Sequence, residues 1–69
     1  MANIAGVFTS SALTHATYLQ KERYLYLTFA NGRRYRYDGV PMTIATGLFF
    51  ANSAGTYFNK KIKGKFIAR

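Results

Sequence analysis

Tyr24-Leu25-Tyr26-Leu27-Thr28-Phe29-Ala30-Asn31-Gly32-Arg33-Arg34-Tyr35-Arg36-Tyr37-Asp38 is the stretch on which the fold turns. Apolar and aromatic residues alternate with polar ones around Asn31-Gly32, a dipeptide that tolerates the positive backbone angles of a tight turn. The segment therefore predicts a hairpin, with strands from Tyr24 to Ala30 and from Arg33 to Asp38. Loop length then decides which side chains share a face, because a slip of one residue moves a whole strand's side chains to the other side. A two-residue loop sets Phe29 opposite Arg34 and Leu27 opposite Arg36, which places guanidinium groups among apolar side chains and buries charge. A three-residue loop puts Ala30-Asn31 in a type I turn and Gly32 in the left-handed bulge position. Phe29 then opposes Arg33, Leu27 opposes Tyr35 and Leu25 opposes Tyr37. We expect this second register. Its inner face carries Leu25, Leu27, Phe29, Tyr35 and Tyr37, and its outer face carries Tyr24, Tyr26, Thr28, Arg34 and Arg36. The two tyrosine pairs are thus expected to differ: Tyr35 and Tyr37 structural, Tyr24 and Tyr26 exposed beside arginines.

Working outward, Ala12 to Leu19 reads as a further strand with imperfect alternation around Ala16, and Gln20-Lys21-Glu22-Arg23 is a polar break. Met1 to Ser10 is weakly patterned and is expected to be partly loose. Downstream, Pro41 suits the first turn of a helix, where its missing N–H is no loss. Ile44, Leu48 and Ala51 recur at helical spacing, flanked by Ala45 and Phe49. Gly47 weakens that helix by about 1 kcal/mol relative to Ala and points to close packing or a short element. Ser53 caps a second short helix running to about Lys63, which Gly64 ends. Phe58 and Ile62 share its apolar face, and Phe66 folds back onto the core. The expected fold is α+β, a single domain over residues 1–69. It has a three-stranded antiparallel sheet, one face of which is covered by one or two short C-terminal helices.

Sixty-nine residues leave room for one small domain, which hides only about 60% of the surface its unfolded chain exposes. Hydrophobic residues at 49% and aromatics at 17% are enough to fold it by packing, and the chain has no cysteine to staple it. No apolar run reaches a membrane-spanning length, and Met1 to Ser10 lacks the charged and apolar regions of a secretory signal. A cytoplasmic, soluble protein is expected. Ten Lys and Arg against Glu22 and Asp38 give a net charge of +8, an imbalance that calls for a polyanion or an acidic partner. With His15 as the one histidine and two carboxylates beside turns, neither a catalytic constellation nor a metal site is expected. No cofactor is implied. His15 reads as a strand-surface residue.

The order Ser10-Ser11, Leu13, Tyr18, Leu25, Leu27, Phe29, Asn31-Gly32, Tyr35-x-Tyr37, Val40-Pro41, Leu48, Ala51, Ser53, Gly55, Tyr57-Phe58-Asn59 and Ile62 resembles the KTSC domain. The resemblance runs from about Phe8 to Phe66, and Tyr35, Tyr37, Val40 and Pro41 form its central signature. The chain departs from the family at Ala16-Thr17, where an apolar residue and Gly often precede the aromatic. That family occurs as a lone small bacterial or phage protein and as a C-terminal extension of some lysyl-tRNA synthetases. The resemblance implies a compact α+β domain and, through the synthetases, a role in binding RNA.

Three features point to a polyanion. Arg33, Arg34 and Arg36 offer planar forks suited to phosphate oxygens, next to Tyr24 and Tyr26, which can stack unpaired bases. The plainer alternative is a solvated hairpin whose arginines lie over the tyrosine rings. Lys60, Lys61, Lys63, Lys65 and Arg69 form a basic end without an acid, although lysines near a helix C-terminus also complement its dipole. Ser53-x-Gly55 resembles an anion nest but is better explained as a cap. The reading is a non-catalytic nucleic-acid-binding module, with RNA favoured over DNA. Arg34, Arg36, Lys60, Lys61, Lys63 and Lys65 meet phosphates, and Tyr24 and Tyr26 stack bases. The competing reading is a protein-interaction module, such as a phage regulator docking on an acidic face of a host nucleic-acid enzyme. A membrane-surface role ranks below both, because neither helix sets a long apolar face against basic residues.

Overall fold

The computed structural model describes residues 3–69. The elements run β1 (Asn3–Val7), β2 (Leu13–Leu19), β3 (Tyr24–Phe29), β4 (Arg34–Tyr37), α1 (Met42–Phe50) and α2 (Ala54–Lys61). All strands join one antiparallel sheet in the order β1-β2-β3-β4. The sheet therefore has four strands, and the expectation of three is corrected. The additional strand comes from the segment read as loose. Asn3-Ile4-Ala5-Gly6-Val7 has only two large apolar side chains, so its alternation is faint, and pairing with β2 supplies what the local pattern lacks. Ile4 lies opposite Tyr18 and Gly6 opposite Ala16 on the covered face. Gly6 is small for a reason: a Cβ there would stand 3.0 Å from two ring carbons of Phe49.

The hairpin takes the expected register, with Leu25 opposite Tyr37 and Leu27 opposite Tyr35. The Gly32 N–H donates to the Phe29 carbonyl at 2.9 Å, the Phe29 N–H donates to the Arg33 carbonyl at 2.8 Å, and Gly32 has φ +87°. That is a type I turn closed by a glycine bulge. A second irregularity lies in β2. Leu13 pairs with Phe29 and His15 with Thr28, so β2 spends an extra residue, Thr14, on a single step of β3. The bulge lets Leu13 and Ala16, three positions apart, both face the core, and this is the source of the broken alternation.

Both helices lie on one face of the sheet. The Phe58 ring of α2 meets Phe29 and Tyr37 edge-on, with centroids 5.2 and 5.8 Å away, while Phe49 of α1 stacks on Phe8 at 6.0 Å. Leu13, Leu25, Leu27, Val40, Leu48 and Ile62 are fully buried between the layers, each contributing about 1.5–3 kcal/mol of burial free energy. Tyr18 is buried with them and its hydroxyl donates to the Val40 carbonyl at 2.6 Å. Gly47 permits the close approach of the helices: a side chain there would collide with the Tyr57 hydroxyl, which donates to the Ile44 carbonyl at 2.8 Å. Ser53 caps α2 by accepting from the Thr56 N–H at 3.3 Å. The helix ends at Lys61, slightly before the expected limit, and Gly64 at φ +78° turns the chain back.

Candidate nucleic-acid interface

The helices leave the other face of the sheet uncovered, and the strand registers order its side chains into rows. Val7, His15, Thr28 and Arg34 form one row; Ala5, Thr17, Tyr26 and Arg36 form the next; Asn3, Leu19 and Tyr24 form the third. A shallow depression of about 600 Å³ lies over the first two rows. Its lining includes His15, Thr17, Tyr26, Thr28 and Arg34 and contains no carboxylate.

Alternation in β3 and β4 delivers Tyr24, Tyr26, Arg34 and Arg36 together to this face, yet they stand differently. Tyr26 is 40% exposed, and Arg34 is exposed with no ion-pair partner among the described residues. Tyr24 is half-buried, edge-on to Tyr26 with centroids 6.4 Å apart, and carries the Arg36 guanidinium 4.3 Å from its ring centroid. Arg36 in turn donates to both Asp38 carboxylate oxygens, from Nε at 2.7 Å and Nη2 at 3.3 Å. The Asp38 hydrogen bond is the main cause that raises the Arg36 pKa above its ordinary value, against the effect of burial. Arg69 reaches the same carboxylate, Nε to Oδ2 at 2.7 Å, and its backbone exchanges two hydrogen bonds with that of Arg36 at 3.2 and 2.8 Å. So the arginine-over-tyrosine arrangement holds for Arg36 and Tyr24, with Tyr26 exposed beside that pair, while Arg34 has no ion-pair partner among the described residues.

The lysines are elsewhere. Lys60 and Lys61 close α2, Lys63 and Lys65 lie in the turn after it, and all are exposed in the helical layer behind the sheet. The structure thus divides the candidate residues into an aromatic and arginine set on the open face and a lysine set behind it. Ser53-x-Gly55 serves as a cap and a contact point, since a Cβ on Gly55 would sit 3.1 Å from the Ala12 Cβ. His15 lies on the strand surface as expected, but it shares a row with Arg34. Sequence spacing alone misses that neighbourhood, because it depends on the bulge at Thr14.

The same architecture recurs in a solved structure. The KTSC domain protein of Yersinia pestis superposes with a TM-score of 0.91 at 32% identity, over 99% of this chain and 96% of that one. The lysine–tRNA ligase of Nostoc punctiforme is 41% identical over 56 residues, which is 81% of this chain but 10% of the ligase. This chain therefore spans about a tenth of that relative's length. An uncharacterized protein of Stutzerimonas stutzeri is 35% identical over 54 residues, covering 78% of this chain and 76% of the relative. The KTSC domain family model matches residues 9–66, from the loop between β1 and β2 through Phe66. With sequence and fold agreeing over nearly its whole length, this chain belongs to the KTSC domain family.

Proposed function

We propose that the chain is a non-catalytic RNA-binding module. The observation that carries this reading is the uncovered sheet face, where the exposed Tyr26 and, in the adjoining row, an Arg34 with no ion-pair partner among the described residues line one hollow without a carboxylate. Exposed aromatics on a sheet stack unpaired bases, and an arginine beside them meets the phosphate. Tyr24 and Arg36 extend this surface. Lys60, Lys61, Lys63 and Lys65 add a second set of phosphate contacts along the strand's path around the molecule. Selectivity for sequence is weak, since phosphate contacts position a strand without reading it. The preference for RNA over DNA, and a cytoplasmic setting, accord with the tRNA-ligase relative. No helix among the described residues is long and apolar enough to cross a membrane.

Salt dependence tests the proposal. With about five phosphates contacted, the logarithm of the affinity for a single strand falls against the logarithm of salt concentration with a slope of about −3.5. Fluorescence anisotropy of a labelled single-stranded RNA across a salt series measures it, and absence of binding at low salt rejects the proposal. The second reading, a module that docks on an acidic protein surface, draws on Phe50, 82% exposed at the end of α1, and Val7, 74% exposed on β1. A partner that survives nuclease treatment in a pulldown, together with no RNA binding, selects it.

A further inference from the structure

The hydrogen bonds around the bulge fix the chemistry of the depression on the open face. The Thr14 hydroxyl donates to the Thr28 carbonyl at 3.3 Å. It has a single hydrogen, and with that hydrogen given to Thr28 its oxygen is the acceptor in the 3.0 Å contact with His15 Nδ1. That pairing selects the neutral tautomer with its proton on Nδ1, which leaves Nε2 as an acceptor on an exposed side chain. Across Thr28, two strand spacings or about 10 Å away, stands the exposed Arg34. The Tyr26 ring lies in the adjoining row. One acceptor, one cation and one aromatic ring thus surround a hollow of about 600 Å³.

Resting on the RNA-binding reading, we propose that this hollow takes one unpaired ribonucleotide and that His15 is the residue that tells RNA from DNA. The base stacks on Tyr26, the phosphate meets Arg34, and the ribose 2′-hydroxyl donates to His15 Nε2. The two ends of the site have complementary demands. Arg34 can only donate and suits an anion, whereas His15 Nε2 needs a donor, and on the backbone of a single strand the 2′-hydroxyl is the group that supplies one. A duplex is excluded because its bases are already stacked. The bulge is what makes the site: without the extra residue at Thr14, the alternation that carries Leu13 inward would turn His15 away from Arg34.

The test uses the whole chain and two fluorescein-labelled single strands of identical mixed sequence, one RNA and one DNA. Wild type binds RNA more tightly than DNA. His15→Phe lowers RNA affinity about tenfold and DNA affinity little, so the ratio collapses, while His15→Gln, which retains an acceptor, recovers part of it. Tyr26→Leu and Arg34→Gln weaken both strands alike, Tyr26→Leu by about tenfold, the size of one lost stacking partner. These are surface substitutions, and circular dichroism verifies that each variant is folded. If His15→Phe weakens RNA and DNA equally or neither, the assignment of His15 is overturned while RNA binding stands. If only Lys60→Gln and Lys61→Gln matter, the hollow is not the site, although the module still binds RNA. If wild type binds neither strand, the functional proposal itself is overturned along with the site.

Discussion

The two faces of the sheet are built from the same strands with much the same residues, and they do opposite things. On the covered face Tyr18, Tyr35 and Tyr37 join Leu25 and Leu27 under the helices, and the Tyr18 hydroxyl is spent on the Val40 carbonyl. On the open face Tyr24 and Tyr26 alternate with those leucines and stand among arginines. A tyrosine's role here is set by the parity of its position and not by its chemistry. Stability and recognition are thereby separated by one residue along the chain, so each can be perturbed without the other.

The largest effect expected is on the covered face. Leu27→Ala opens a cavity at a fully buried site and destabilises the fold by about 2–5 kcal/mol, whereas Arg34→Gln on the open face stays within about 0.5 kcal/mol of wild type. Urea unfolding followed by circular dichroism compares the two, and similar losses would show that the faces are not independent. A second contrast appears in alkali. Burial, with a smaller contribution from Tyr35, pushes the Tyr37 pKa above its ordinary value, and burial does the same to Tyr57. Above pH of about 10 the unfolded chain releases these protons while the native chain holds them, so native protein binds more protons and stability falls as pH rises. The contribution is fully present below that pH, and Tyr37→Phe flattens the decline in a melting series. The smallest effect concerns the clasp at the sheet's rim. Asp38→Asn removes the carboxylate that holds Arg36 and Arg69 and lowers stability by no more than about 1 kcal/mol, since the pairs are part-exposed. It also frees Arg36, so RNA binding strengthens in the same variant, and unchanged binding would leave Arg36 outside the interface.

Much of the fold can be read from the hairpin. Asn31-Gly32 limits the loop to a few geometries, and the penalty for burying Arg34 and Arg36 selects among them, so the register and the sorting of tyrosines follow from residues adjacent in sequence. Ser53 and Gly47 announce a cap and a close contact by the same local logic. The first strand is not legible, because Asn3–Val7 is defined by its partner Tyr18 and by Phe49 of α1 more than by its own pattern. Nor is the arrival of Arg69 at Asp38 and at the backbone of Arg36, which comes from the far end of the sequence. His15 joins Arg34 only through the extra residue in β2, and a shift of that kind leaves no mark except the faltering alternation near Ala16.

Arg69's return to β4 has a consequence for how these molecules meet each other. Its two backbone bonds occupy the donor and acceptor of Arg36, so that rim of the sheet is partly sheathed, and Arg34 raises its charge beside the remainder. Strand-by-strand polymerisation requires two bare rims per molecule, whereas here β1 is a full open rim and β4 only a shortened one. Sheet extension from one molecule to the next is therefore hindered at β4, where Arg69 would have to leave Arg36 before another strand could pair along the whole rim.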